Sequence, residues 1–88
     1  MDVKYTKRFN KEISKITGKK LGQSINDAIE NVKKAKSILE IKNLKKLKGY
    51  NNSFRIEVYN YRIGIYIEKN IVEFARFMHR KDIYKYFP

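Results

Sequence analysis

The hydrophobic period changes partway along the chain, and that change restricts the possible folds more than any other feature. Between residues 7 and 39 apolar side chains recur every three or four positions. Phe9, Ile13 and Ile16 come first, then Leu21, Ile25, Ala28, Ile29, Val32, Ala35 and Leu39. From Ser53 onward they recur at every second position, as Phe54, Ile56 and Val58, then Tyr61, Ile63, Ile65 and Ile67. A period of about 3.6 marks amphipathic helices and a period of about 2 marks strands with one buried face. Helices must therefore cover one side of a sheet.

Punctuation residues divide these runs into elements. Val3 and Tyr5 alternate with polar neighbours and predict a short first strand. Thr6 is placed to cap a helix over 7–17 that Gly18 ends, and a longer helix is expected over 20–40. Residues 41–53 read as connector, with turn chemistry at Gly49 and Asn51-Asn52. Strands follow over 53–59, 61–68 and 71–78, separated by turns at Asn60 and Lys69-Asn70. The tail from His79 to Pro88 is expected to form a short helical turn or an ordered extension. The order βααβββ makes an α+β fold, a two-helix hairpin packed on a mainly antiparallel four-stranded sheet, with one domain over 1–88.

Size allows one modest core. A chain of 88 residues buries only roughly 60–65% of the surface its unfolded form exposes. With no cysteine there is neither a disulfide framework nor a thiolate metal site to assist it. No apolar run approaches the ~18 residues of a membrane span. Seven Tyr and five Phe set the chain apart from a disordered basic tail. Met1-Asp2-Val3-Lys4-Tyr5 lacks the apolar core of a leader peptide, so a cytoplasmic location is expected.

Charge then points to a partner. The 21 Lys and Arg against 9 acids leave +12, the electrostatic footprint of a protein that meets a polyanion. Residues 1–48 carry 14 basic residues against 5 acids, and nearly all of the 14 are Lys. Four of the five arginines, Arg55, Arg62, Arg76 and Arg80, lie in the second half among the aromatics. Lys is a solvated point charge, whereas Arg is a planar fork suited to bidentate phosphate contact. The Lys-rich helices and the connector residues Lys45, Lys46 and Lys48 fit a nonspecific, salt-sensitive attraction to RNA, and Lys81 in the tail joins them.

Strand alternation places Arg55, Glu57, Tyr59, Arg62 and Tyr66 on the face opposite the isoleucines. Two guanidinium groups on adjacent strands come within reach of one phosphate. The plainer reading is a solvated face on which Glu57 pairs with Arg62 or Arg55. His79, Arg80 and Tyr84 add a titratable ring, a third guanidinium and a phenol at the end of the last strand. Alternatively, Ile83 and Phe87 dock a C-terminal helix on the core and leave the rest solvated.

The chemistry open to this set is narrow. One His and no Cys rule out a zinc site of ordinary ligand count. The acids are scattered, with no pair spaced for two metals. The glycines at 18, 22, 49 and 64 form no phosphate loop, and no Ser-His-Asp arrangement presents itself. Metal-free RNA cleavage remains, with the substrate's own 2′-OH as nucleophile and no cofactor. The protein would position the strand, neutralise the phosphorane and move protons through Glu57, His79, Tyr84 or a Lys. DNA lacks the 2′-OH.

At these residues the sequence resembles a bacterial or archaeal toxin of the RelE type, within the RelE/ParE superfamily. The resemblance covers essentially the whole chain. It rests on Leu47-Lys48-Gly49, on the run Phe54-Arg55-Ile56-Glu57-Val58-Tyr59-Asn60-Tyr61-Arg62-Ile63-Gly64-Ile65-Tyr66, and on His79-Arg80-Lys81-Asp82-Ile83-Tyr84. The opening Tyr5-Thr6-Lys7-Arg8-Phe9-Asn10-Lys11-Glu12-Ile13 is similar as well. It implies the toxin of a type II toxin–antitoxin pair that enters the ribosomal A site and cleaves mRNA through the 2′-OH without a metal. Arg62 matches the arginine of the family's Tyr-Arg strand, Arg80 its C-terminal arginine and Tyr84 the tyrosine four positions beyond. Arg55 falls where several members carry Lys or Arg. Glu57 departs from the pattern, standing where some members have a second basic residue; an acid there weakens phosphate binding but is able to serve as general base. His79 is a candidate general acid or flanking ligand.

The resemblance also implies partners: a cognate antitoxin that wraps the domain, rRNA and mRNA. The outer sides of the helices over 7–17 and 20–40 are candidate antitoxin surfaces. Some relatives inhibit DNA gyrase instead, and those generally lack the Arg/Tyr set. Gyrase inhibition and non-catalytic binding to RNA or the ribosome are the competing expectations.

Overall fold

Thr6 sets the first boundary. Its backbone is extended (φ −80°, ψ 158°) and its Oγ1 accepts from the Phe9 amide at 3.0 Å, so it caps the helix that follows. The same hydroxyl donates to the Ala75 carbonyl at 2.8 Å, tying the helix start to the last strand. The computed structural model describes residues 1–88 in the order β1 (Asp2–Tyr5), α1 (Lys7–Ser14), α2 (Lys19–Lys34), a single 3-10 turn (Ile38–Glu40), β2 (Leu44–Lys46), β3 (Ser53–Val58), β4 (Tyr61–Glu68), β5 (Ile71–His79) and α3 (Arg80–Tyr86).

The strands form one mixed sheet in the order β1-β5-β4-β3-β2. β1 runs parallel to β5 and every other pair is antiparallel. The α+β expectation is met, with one correction: the sheet has five strands, not four. The additional strand is β2, inside the stretch expected to be connector. Its three residues pair with β3 as Leu44 with Ile56, Lys45 with Arg55 and Lys46 with Phe54. A strand of three residues carrying one apolar side chain shows no alternation, so the period test passes over it.

The helices are also shorter than their hydrophobic pattern. α1 stops at Ser14, and Gly18 (φ −68°, ψ 123°) precedes α2 as its N-cap rather than ending α1. α2 ends at Lys34 because Ala35 turns extended (ψ 137°). There the Met1 nitrogen reaches the carbonyls of Val32, Lys33 and Ala35 at 3.3, 3.0 and 2.7 Å. Leu39, expected on the apolar stripe, is 92% exposed.

The main core lies between the helices and the predicted apolar face. Phe9, Ile25 and Val32 of the helices meet Ile56, Ile63, Ile65, Val72, Phe74 and Phe77 of the sheet. Tyr5, Phe9 and Phe74 pack ring to ring, with centroids 5.4–6.1 Å apart. Tight turns join β3 to β4 and β4 to β5, with left-handed φ at Tyr59 (53°) and Lys69 (55°), each just before its Asn.

β5 departs from simple pairing. Gly64 pairs with Arg76 and Ile65 with Phe74, so Ala75 is a bulged residue with no partner on β4. The bulge turns Ala75 toward the second face of the sheet. There it joins Ile83 and Phe87 of the tail in a separate buried cluster, with Leu47, Tyr66 and Met78 packed against it. The second face is therefore partly roofed by α3, the short helical turn expected in the tail. No helix is long and apolar enough to cross a membrane.

Candidate active site

β3 and β4 carry the site in a fixed register. Arg55 sits between Lys45 of β2 and Gly64 of β4, and Glu57 lies directly opposite Arg62. Alternation puts these side chains on the face away from the main core, and Arg55 and Arg62 are diagonal neighbours there. Tyr59, expected on this face, lies beyond the end of β3 in the turn, 62% exposed.

Arg62 is held by its own hairpin. Its Nη1 donates to the carbonyls of Tyr59 at 2.9 Å and Tyr61 at 2.8 Å, and its Nη2 lies 3.9 Å from a Glu57 carboxylate oxygen. Only 13% of its side chain is exposed. Arg55 takes a different neighbour: its guanidinium carbon lies 5.0 Å from the centroid of the Tyr84 ring, within cation–π range. The Nε atoms of both arginines are buried without a hydrogen-bond partner among the protein groups. Buried donors are nearly always paired, and leaving one unpaired costs about 1–3 kcal/mol.

α3 brings the tail residues over this face. Its buried residue Ile83 and its C-cap Phe87 are four apart and form the docked side. Arg80 and Tyr84, also four apart, form a neighbouring row, and both are exposed. The Arg80 amide donates to the Asn60 carbonyl at 2.8 Å, fixing the start of α3 against the β3–β4 turn. Arg55, Arg62 and Tyr84 thus lie on one side of the sheet, and Arg80 stands one turn before Tyr84 on α3.

His79 stands apart from that surface. It pairs with Tyr61, on the main-core side of the sheet, and its ring meets the Tyr61 ring edge-on at 5.5 Å. Its Nδ1 accepts from the Lys81 amide at 3.2 Å, so His79 caps α3. Lys45 shares Arg55's face, whereas Lys46 pairs with Phe54 and points to the opposite one. Lys48 and Lys81 are exposed, in the β2–β3 connection and the first turn of α3. No three His, Asp or Glu side chains gather where they could hold a metal ion.

Sequence reasoning passed over two parts of the site. The first is Gly64, whose missing side chain makes room for the Phe87 ring: a methyl there would lie 2.8–2.9 Å from three ring atoms. A lone Gly inside an otherwise regular strand is the available signal, since it marks close approach of another group. The second is a strap between layers. Arg76 Nε and Nη2 donate to Glu12 of α1 at 2.9–3.3 Å, Nη1 reaches the Tyr86 carbonyl at 3.4 Å, and Glu12 Oε1 also accepts from the Phe77 amide at 2.8 Å. Nothing in the local sequence pairs residues 64 positions apart.

Comparison with known proteins identifies the family and the fold. Residues 3–84 match the family described as ParE toxin of type II toxin–antitoxin system, parDE. The chain is 40% identical to Toxin RelE3 of Methanocaldococcus jannaschii over 89 residues, covering all of both chains. It is similar in structure to a chain of the RelB-RelE antitoxin-toxin complex from Methanococcus jannaschii, with a TM-score of 0.78 and 38% identity over 97% of this chain and 99% of that one. The archaeal RelE-RelB complex from Pyrococcus horikoshii OT3 shares the fold, with a TM-score of 0.72 and 16% identity over 90% of this chain and 93% of that one. The chain belongs to the RelE/ParE superfamily of type II toxin–antitoxin toxins, and within it to the RelE type.

Proposed function

We propose that this toxin is an endoribonuclease that cleaves mRNA in the ribosomal A site, using the substrate's 2′-OH and no metal. The observation that carries the reading is Arg55 against the Tyr84 ring, with Arg62 diagonal to it on the same face of the sheet. A bent RNA strand laid there offers phosphate oxygens to Arg55 and Arg62 and a base face to Tyr84. Arg80 approaches from α3. The 2′ oxygen attacks phosphorus, the bond to the 5′ oxygen breaks, and a 2′,3′-cyclic phosphate and a 5′-hydroxyl result. The arginines neutralise the dianionic phosphorane. Glu57 takes the 2′ proton and the Tyr84 hydroxyl supplies one to the leaving 5′ oxygen. His79 caps α3 through Nδ1 and sits beside Tyr61 on the main-core side of the sheet, so it is not the proposed acid.

A cognate antitoxin is the proposed protein partner; two of the similar structures are described as RelB-RelE complexes. Lys45, Lys48 and Lys81 are the proposed backbone contacts to mRNA, and the helix lysines to rRNA. Lys46, on the helix side, belongs with the rRNA group. The proposed place of action is the cytoplasm, where ribosomes are.

Single-site 2′-deoxy substitution tests the chemistry. Ribosome-bound mRNA with 2′-deoxyribose at the scissile position should resist cleavage, while cleavage of the all-ribose message should survive EDTA levels that leave ribosomes intact. Cleavage of the deoxy substrate would overturn the mechanism. Gyrase inhibition is the competing reading because the matching family is described as ParE toxin.

A further inference from the structure

We propose that Gly64 and Phe87 are positioning residues: the Phe87 ring, seated on the bare backbone of Gly64, sets the rotation of α3 that lays Tyr84 over Arg55. The function rests on the reading above; the geometry does not. α3 has seven residues and only one of them, Ile83, is buried. One buried contact leaves a helix free to pivot, so a second is needed to fix where its other faces point. Phe87, 4% exposed, supplies it one turn later.

The register explains why that contact governs Tyr84. Gly64 is the direct cross-strand partner of Arg55. The seat and the arginine it serves therefore stand side by side in one row of the sheet. Tyr84 lies three residues before Phe87, so a one-residue slip of α3 would swing its ring by about 100° and shift it by about 1.5 Å. The Tyr66 ring, 5.1 Å away and tilted 48°, flanks Phe87 and limits its retreat. Arg76, the other cross-strand partner of Gly64, holds the end of α3 through the Tyr86 carbonyl at 3.4 Å. One row, Lys45-Arg55-Gly64-Arg76, thus carries the phosphate-facing cations, the seat and the strap.

A methyl at Gly64 meets three atoms of the Phe87 ring at 2.8–2.9 Å. Gly64→Ala should therefore move α3 while the main core on the opposite face stays in place. The test compares wild type, Gly64→Ala, Phe87→Leu and the double variant as purified full chains. Nuclear magnetic resonance follows the Arg55 side-chain signals, which sit in the shielding cone of the Tyr84 ring, and cleavage of ribosome-bound mRNA is measured in parallel. In Gly64→Ala the Arg55 signals should lose their ring-current shift while amide signals of β1 and α2 hold. kcat should fall on the order of tenfold or more with KM within about twofold, the signature of lost orientation. Phe87→Leu, which shortens the clashing ring, should restore part of both in the Gly64→Ala background.

Unchanged Arg55 signals in Gly64→Ala would overturn the proposal, whatever the kinetics. If Gly64→Ala does not fold, Phe87→Leu decides by the same readout: an unchanged Arg55–Tyr84 contact overturns it. If the wild type cleaves no RNA, the ribonuclease reading fails, and the resonance arm alone still decides whether Phe87 places Tyr84.

Discussion

Arg62 and Arg80 are both proposed to meet the scissile phosphate, yet the protein holds them differently. Arg62 is mostly buried and bonded to two carbonyls of its own hairpin, while Arg80 is exposed and its side chain has no hydrogen-bond or ion-pair partner. Arg62→Ala should lose cleavage and also about 1–3 kcal/mol of stability, because two carbonyl partners and a filled volume go with it. Arg80→Ala should lose cleavage with stability unchanged within about 0.5 kcal/mol. Denaturant midpoints with parallel cleavage assays check the contrast; equal stability losses would show that Arg62 does not brace the hairpin. At this scale much was legible: alternation alone placed Arg55, Glu57 and Arg62 on one face. Tyr59 was misplaced because β3 ends one residue before it, at a left-handed position that a bulky side chain rarely adopts. His79's role as a cap depends on α3 starting at Arg80, a boundary that no periodic run announces.

The elements are joined by contacts of unequal visibility. Thr6 before the Phe9-Ile13 pair announced α1, and the structure confirms its cap. Thr6→Ala should lower stability by about 1–2 kcal/mol, since it removes the cap and the hydroxyl's bond to Ala75. Glu12 is the less visible joint. It holds Arg76 and the Phe77 amide where β5 has run past the end of β1, with 21% of its side chain exposed. Glu12→Ala should cost about 2 kcal/mol, and Glu12→Gln about half of that because its carbonyl still accepts from Phe77. Thermal melts order the two variants; equal losses would mean that the amide bond contributes nothing. β2 and the early end of α2 were not legible for the same reason. Both depend on what a short segment meets across the fold, Ile56 for Leu44 and the Met1 nitrogen for the end of α2. Periodicity reports only what a segment repeats along itself.

For the whole molecule the surplus of cations remains the dominant property. Ion pairs engage only Lys33, Arg62 and Arg76 among the 21 basic residues. The rest act over a body measuring 33 × 28 × 22 Å, so most of the surface lies within a few Debye lengths of an unpaired charge. Association with ribosomes should fall steeply with salt. Reversing Lys11 and Lys15 on the helix side, away from the proposed site, should raise KM and leave kcat unchanged. A fall in kcat would place those lysines in the chemistry. Composition points to a polyanionic partner, and the proposed site on the sheet face makes a phosphodiester the proposed target. The family match supplies the toxin, and the choice between mRNA and gyrase rests on Arg55, Arg62, Arg80 and Tyr84. Primer extension on messages from cells expressing the toxin, with supercoiling of a resident plasmid followed in the same culture, tests that choice most directly. The expected result is cleavage within translated codons that Tyr84→Phe abolishes, with supercoiling intact; relaxed plasmid and uncut mRNA would contradict it.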